Sequence, residues 1–172
     1  MSRLTLAVGP RDHIQGNPDA TLTLVEYGDY QCPHCGRAYP IVKAVQKHFG
    51  RKLRFVFRNF PLNQAHPNAE AAAEAAEAAG AQGRFWEMHD MLFENQAALS
   101  VDDLVVYATN VGLDVKKFAA ELEGRKFLPR VKEDFSSGAR SGVNGTPTFF
   151  INGARFDGAW DEAGLIAALS TP

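Results

Sequence analysis

The chain has 172 residues, of which 45% are hydrophobic and 22% are charged, and its formal net charge is -2. This balance is typical of one globular domain, or of a domain with a large insertion. A net charge this close to zero gives no electrostatic basis for nucleic acid as the main partner. No segment approaches the roughly 18 apolar residues that a membrane span requires, so we expect no membrane partner either.

The N-terminal segment, residues 1–9, bears on where the protein is located. It contains one basic residue and a very short apolar stretch, which is too weak for a secretory signal. We therefore expect a cytoplasmic protein, or a periplasmic one if a signal peptide has been removed.

The first part of the chain contains two predicted strands around one predicted helix. Residues 3–20 hold turn signals and predict an irregular lead-in, whereas residues 21–27 are β-branched and aliphatic and predict a strand. Residues 33–49 place apolar side chains at helical spacing. Pro33 suits the first helical position, where its missing N–H is no loss. Apolar and basic side chains alternate over residues 53–58 and predict a half-buried strand.

The middle of the chain, from residue 67 to about 141, carries helical signals. Its alanine-rich segment 68–81 places Glu70, Glu74 and Glu77 on one face, which we interpret as a solvated stripe and not as a metal site. Ser100 and Asp103 have the spacing of a capped helix start. Helices are predicted over residues 68–81, 85–94, 100–112, 115–123 and 128–137.

The last part of the chain returns to strand character. Residues 148–151 predict a short buried strand, and Asn152-Gly153 is a strong hairpin turn that leads into a returning strand over residues 154–156. A final amphipathic helix carries Leu165 and Leu169. The whole order of elements is that of a thioredoxin fold with a helical insertion.

The two cysteines of the chain, Cys32 and Cys35, lie in a CxxC pattern between the first predicted strand and the first helix. The thiolate is the reactive species in disulfide exchange. Cys32 falls at the helix N-cap, where free N–H groups and the helix dipole favour negative charge, and His34 can add a donor or a positive charge. We expect a lowered pKa for Cys32. We expect Cys35, one turn further in, to be more buried and to have the higher pKa.

Two other interpretations of the pair are open. It could be half of a zinc site, but the sequence has no second CxxC, and His34, His66 and His89 show no ligand spacing with it, so we assign no metal. It could also consist of two inert core cysteines. The position between strand and helix favours redox chemistry over both.

Four separated segments together resemble the DsbA-like branch of the thioredoxin superfamily. They are residues 27–35 with Cys-Pro-His-Cys, residues 58–67 with Phe60-Pro61-Leu62, residues 85–89, and residues 145–149 with Thr146-Pro147. The resemblance implies an α/β thioredoxin core, residues 1–66 and 142–172, interrupted by a helical insertion, residues 67–141, in a single unit. It also implies no cofactor beyond the cysteine pair.

The resemblance assigns roles to individual residues. It implies that Pro147 is the family's cis-proline, although the sequence shows only that Thr-Pro precedes a strand. The backbone of Thr146, with Pro33 beside the cysteines, would then bind an extended substrate. Glu26 matches the buried acid of the superfamily and would move a proton to or from Cys35. From the strand pattern alone, a solvated acid is an equally good interpretation of Glu26.

We expect a thiol–disulfide oxidoreductase, close to the disulfide isomerases, that acts on cysteine-containing protein or peptide substrates, with a separate redox partner that resets the pair. The direction of electron transfer stays open, because Cys-Pro-His-Cys favours an oxidant whereas a cytosolic location favours the dithiol. Two alternatives remain: a redox-switched, chaperone-like binding module, and a glutathione-dependent small-molecule enzyme on the same scaffold.

Overall fold

The computed structural model describes residues 1–171, across which the chain forms five strands and seven α-helices. The strands are β1 (His13–Gly16), β2 (Leu22–Gly28), β3 (Leu53–Asn59), β4 (Thr148–Ile151) and β5 (Ala154–Phe156). The helices are α1 (Pro33–Phe49), α2 (Ala69–Ala81), α3 (Phe85–Glu94), α4 (Val101–Asn110), α5 (Val115–Glu123), α6 (Leu128–Arg140) and α7 (Glu162–Ser170). Pro172, the predicted end of the core, lies outside the described residues.

The strands form one sheet in the order β1-β3-β2-β4-β5, with β2 at its centre. Strands β2 and β3 are parallel, with Leu22 opposite Leu53 and Gly28 opposite Asn59, and the other neighbours are antiparallel. A parallel pair needs a crossover connection, which α1 supplies. Because α1 follows β2 directly, the residues between them lie at the carboxyl end of the central strand.

The two faces of the sheet carry separate apolar cores, as strand alternation requires. Leu24 faces the larger core, which includes Phe55, Phe57 and the cysteines together with side chains of α1, α3 and α7. Val25 and Tyr27, which point to the other face of β2, contribute to a smaller core that is partly covered by the N-terminal segment. Glu26 is an even-numbered neighbour of Leu24 and therefore points into the larger core.

Helices α2 to α6 lie between β3 and β4 in the chain, and α2 is the element that the others pack on. Five of its alanines are completely buried, and α3, α4, α5 and α6 all contact it. The small side chains let these helices approach closely. The order of elements and the thioredoxin-like α/β fold confirm the predicted fold class, while the boundaries of the insertion stay a prediction.

The prediction of an irregular lead-in over residues 3–20 was wrong for β1. His13 pairs with Phe57 and Gly16 with Arg54, so β1 forms an edge of the sheet. Nearer the N-terminus, Arg3 forms a bridge with Ala154 at the opposite edge. These short stretches have no strand pattern of their own, and their conformation comes from pairing with distant strands.

The prediction of a solvated glutamate stripe on α2 was also wrong, because Glu74 and Glu77 are only 3% and 5% exposed. Arg125 Nη2 donates to Glu74 Oε2 at 2.9 Å. Glu77 Oε2 lies 2.9 Å from His13 Nε2 and accepts a hydrogen bond from Asn59 Nδ2 at 2.9 Å. The carboxylates are buried because neighbouring elements bring partners to them.

Candidate active site

The cysteine pair lies where the central strand passes into α1. Cys32 is the N-cap of α1 with an extended backbone (φ -67°, ψ 123°), and Pro33 occupies the first helical position. Both cysteines are free thiols and both are buried, with 3% of Cys32 and 0% of Cys35 exposed. Of the two residues, only Cys32 has any surface open to solvent.

Several polar groups around the Cys32 sulfur stabilise its thiolate. The Cys35 thiol lowers the pKa of Cys32 most, followed by the Thr146 side chain and the backbone N–H groups of Cys35 and His34. Burial opposes them, but together they lower the pKa of Cys32 to about 5. In the thiol form, Cys32 Sγ donates to the carbonyl oxygen of Thr146 at 3.6 Å. Cys32 is thus a thiolate at neutral pH.

His34 acts on Cys32 through its backbone. Its ring lies on the exposed side of the first helical turn, where Arg37 Nη2 donates to His34 Nδ1. Pro33 is exposed on the same turn.

Cys35 lies in the opposite electrostatic situation. Burial raises its pKa well above the ordinary value, and the hydrogen bond to Cys32 and the negative charge of Glu26 act in the same direction. The backbone N–H of Asp29 donates to Cys35 Sγ at 3.5 Å and partly counteracts them. At neutral pH the pair therefore holds one thiolate and one thiol.

Glu26 is a buried acid on β2, on the face of the sheet that the cysteines pack against, and 2% of its surface is exposed. Its Oε1 atom has no hydrogen-bond partner among residues 1–171. Burial, followed by the negative charge of Cys32, raises the pKa of Glu26 to about 8. A cavity of about 10 Å³, close to the space that one water needs, adjoins this side chain. Glu26 is therefore mostly protonated at neutral pH.

Residues from the far end of the chain complete the site. The loop before β4 brings Thr146 against Cys32, and the Thr146–Pro147 peptide bond is cis. Thr148 Oγ1 donates to the carbonyl oxygen of Gly145 at 2.7 Å and closes this loop. The structure thus brings Thr146, Glu26 and both cysteines together.

Two residues that contact the cysteine turn were missed from the sequence, Asp29 and Gln96. Gln96 Nε2 donates to the carbonyl oxygens of Tyr30 at 3.0 Å and Cys32 at 2.9 Å. It reaches them from the connection between α3 and α4, so no local signal reveals it. Asp29 caps the N–H groups of Gln31 and Cys32, and its position three residues before a helix N-cap was a readable signal for such a turn.

The zinc interpretation finds no ligand set here. Among residues 1–171, no group of three His, Cys, Asp or Glu side chains is placed to hold a metal ion.

A family model described as thioredoxin matches residues 9–171 of this chain. The chain belongs to the thioredoxin family. A thioredoxin-like oxidoreductase from Silicibacter pomeroyi has 28% identity and a TM-score of 0.82, over 93% of this chain and 91% of that one. BdbD from Bacillus subtilis, at 24% identity and a TM-score of 0.84 over 92% and 90% of the two chains, shares the fold. The thiol-disulfide exchange protein alpha-DsbA2 from Wolbachia pipientis also shares the fold. It has 21% identity and a TM-score of 0.81, over 93% of this chain and 86% of that one. The predicted membership of the thioredoxin superfamily is confirmed, and the likeness to the DsbA-like structures is one of fold.

The curated relatives carry a different name. A protein from Mycobacterium sp. (strain KMS) named Na(+)/H(+) antiporter NhaA 1 is 49% identical over 161 residues, which are 92% of this chain and 26% of that protein. A protein of the same name from Salinispora arenicola is 46% identical, over 98% of this chain and 26% of its own length. The chain thus spans about a quarter of the length of these relatives.

These findings bear on where the protein is located. None of the helices formed by residues 1–171 has the length and apolar character needed to cross a membrane. The comparisons do not support the expected cytoplasmic location.

Proposed function

We propose that the chain is a thiol–disulfide oxidoreductase that exchanges its Cys32–Cys35 pair with cysteines of proteins or peptides. The observation that carries this proposal is the opposite shift of the two thiols. Cys32 has a pKa of about 5, whereas the pKa of Cys35 is raised. A thiolate next to a buried thiol is the state from which one sulfur attacks and the other resolves.

We propose that electrons flow from substrate to the pair. A stabilised Cys32 thiolate favours the dithiol, so the disulfide form accepts two electrons readily. A substrate thiolate attacks Cys32 Sγ, the bond between the two cysteines breaks, and Cys35 leaves. A second substrate thiolate then attacks the mixed disulfide and releases Cys32 as a thiolate, so the substrate becomes a disulfide and the pair becomes reduced.

Glu26 supplies the proton in this sequence. Cys35 is a poor leaving group as a thiolate because its pKa is raised. Glu26, with a pKa of about 8, carries a proton at neutral pH on the side of the sheet where Cys35 is buried, and can transfer it to Cys35. A separate redox partner must then remove two electrons, with release of the one proton on Cys35, to restore the disulfide.

The substrate is proposed to bind as an extended segment. The backbone of Thr146, next to Pro147 and beside Cys32, would pair with it as an added strand, while the exposed Pro33 would contact it from the opposite side. No further cofactor is needed, because the two sulfurs carry both electrons. We propose a compartment in which protein disulfides persist, since a reducing cytosol would hold this pair as the dithiol.

Active-site variants test the exchange itself. Cys32→Ser should abolish the oxidation of a dithiol peptide, because the internal disulfide that accepts the two electrons can no longer form. Cys35→Ser, incubated with the disulfide form of the peptide, should instead accumulate mixed disulfides between Cys32 and substrate, because no second thiol resolves them. They are visible by non-reducing electrophoresis and mass spectrometry. Full activity in Cys32→Ser would contradict the proposal, and stoichiometric binding without turnover would favour a binding module.

Equilibration of the parental chain with glutathione tests the direction. We expect a reduction potential above the cytosolic glutathione range of about -220 to -260 mV. A potential inside or below that range would contradict the oxidant direction and leave the exchange activity standing. For the longer antiporter relatives, the proposal concerns only the quarter that this chain matches.

A further inference from the structure

The side chain of Asp29 is completely buried beneath the cysteine turn, and both of its carboxylate oxygens are bound. Oδ1 accepts hydrogen bonds from the backbone N–H groups of Gln31 at 2.8 Å and Cys32 at 3.1 Å. Oδ2 accepts the N–H of Leu62 at 2.9 Å and lies 2.8 Å from His66 Nδ1. A buried carboxylate is stable only when donors surround it, and this one has four.

The backbone of Asp29 also contacts both cysteines. Its carbonyl oxygen accepts the N–H of Cys32 at 3.1 Å, and its N–H donates to Cys35 Sγ at 3.5 Å. One residue therefore holds Cys32 by its backbone N–H and Cys35 by its sulfur. A displacement of Asp29 would change the position of one sulfur relative to the other.

His66 and Leu62 connect this group to the segment that follows β3. An ionised carboxylate only accepts hydrogen bonds, so Nδ1 of His66 carries the proton in this contact. The His66 side chain is 19% exposed, whereas that of Asp29 is 0% exposed. The partly exposed His66 thus holds the buried carboxylate through Oδ2, the oxygen that does not contact the cysteine turn.

We propose that Asp29, held by His66, is a positioning residue that keeps the Cys35 sulfur close to the Cys32 sulfur. This inference rests on the proposed exchange function. The quantity that such a residue controls is the effective concentration of Cys35 at Cys32, which decides how far the internal disulfide is favoured over a mixed disulfide.

Glutathione measures this quantity directly. Oxidised glutathione and the dithiol give a mixed disulfide at Cys32 and one reduced glutathione. Cys35 then attacks Cys32 Sγ, its proton is released, and the internal disulfide forms with a second reduced glutathione. The ratio of internal to mixed disulfide at a known concentration of reduced glutathione, read by mass spectrometry after acid quenching, gives the effective concentration of Cys35.

Three variants isolate the contact. Asp29→Asn keeps one oxygen for Cys32 but sets an amide group against the N–H of Leu62. His66→Ala removes the donor to Asp29, and His66→Asn places an amide nitrogen near the position of Nδ1. As a matched control, Asp114→Asn makes the same change at the N-cap of α5, where Asp114 Oδ1 accepts the N–H of Lys117 at 3.0 Å.

We expect Asp29→Asn and His66→Ala to lower the effective concentration of Cys35 about tenfold, which corresponds to about 1.4 kcal/mol. His66→Asn and Asp114→Asn should stay within about twofold of the parental chain. Values within about twofold for both Asp29→Asn and His66→Ala would overturn the inference. A loss in His66→Asn equal to that in His66→Ala would also overturn it, because the imidazole itself would then be required.

Two further outcomes separate the possible failures. If Asp29→Asn does not fold by circular dichroism, the two variants at the partly exposed His66 carry the test. If the parental chain forms neither disulfide with oxidised glutathione, the proposed function fails. If the parental chain exchanges and the variants match it, only the positioning role fails.

Discussion

Replacement of Glu26 by glutamine should stabilise the folded chain, and the size of the gain should depend on pH. Glu26 is 2% exposed, and its Oε1 has no partner within residues 1–171. Burial first, and the Cys32 thiolate second, disfavour its ionised form. Glutamine has nearly the same shape and stays neutral at every pH, so Glu26→Gln removes the unfavourable ionisation and preserves packing.

The magnitude follows from the two pKa values. The ordinary pKa is 4.5 and the folded pKa is about 8. Below about pH 4.5 the group is protonated in both states and contributes nothing to the pH dependence. Between about pH 4.5 and 8 the unfolded chain ionises while the folded chain does not, so stability falls as the pH rises. A pH of about 7 lies about 2.5 units above the pKa of Glu26 in the unfolded chain. Its ionisation there lowers the free energy of unfolding by roughly 3 kcal/mol.

Urea unfolding of the reduced protein, followed by tryptophan fluorescence, measures this effect. The free energy of unfolding of Glu26→Gln should exceed that of the parental chain by about 3 kcal/mol near pH 7 and by about 0 near pH 4. The gain should be smaller in the oxidised protein, because the Cys32 thiolate is then absent. An equal difference at both pH values would refute the reasoning.

Glu77→Gln is a matched control with the opposite sign. Glu77 is also buried, but hydrogen bonding to His13 and nearby positive charge outweigh its burial and lower its pKa. A lowered pKa gives stability that is present above the unfolded pKa and is lost as the pH falls. Glu77→Gln should therefore destabilise the chain near pH 7 and have a smaller effect at strongly acidic pH.

Three further predictions concern the cysteine turn. Thr146→Val removes the hydroxyl that helps to lower the Cys32 pKa and should raise this pKa, on the order of one unit, in a titration of ultraviolet thiolate absorbance. Gly36→Ala would place a Cβ 2.1 Å from Gln96 Oε1 and displace that side chain, at a cost of roughly 1–3 kcal/mol in unfolding free energy. Adding Gln96→Ala should recover part of this loss, and a purely additive double variant would contradict the clash. Because Cys32 stays ionised above about pH 5, reduction takes up one proton, so the potential should fall by about 30 mV per pH unit between about pH 6 and 7. A slope near 60 mV, from two protons, would contradict the thiolate.

Most elements of the fold could be predicted because their signals lie within a few residues. Residues 33–49, 85–94 and 115–123 were predicted as helices, and α1, α3 and α5 have these bounds. The predicted cap at Ser100 is a full capping box with Asp103. In contrast, β1 was missed because its four residues gain their conformation from pairing with β3, about 40 positions away.

The site divides in the same way. The cysteines stand in a local motif, and the resemblance adds Glu26, Thr146 and Pro147. Gln96, however, comes from a connection more than 60 residues further along the chain, and a glutamine in a polar loop looks like any solvated side chain. The prediction that the α2 glutamates are solvated failed for the same physical reason, since burial of a charge depends on partners that other elements supply.

The opposite pKa shifts of Cys32 and Glu26 also couple electron transfer to proton transfer. The Cys32 thiolate is one of the two causes that raise the pKa of Glu26. Reduction of the pair creates this thiolate and so strengthens the affinity of Glu26 for a proton, whereas oxidation removes the thiolate and weakens it. The acid therefore releases its proton most readily in the oxidised state, when, under the proposed mechanism, the leaving Cys35 needs one. Under the same mechanism it retakes a proton once the dithiol has formed, and this role would account for a buried acid whose Oε1 has no hydrogen-bond partner among residues 1–171.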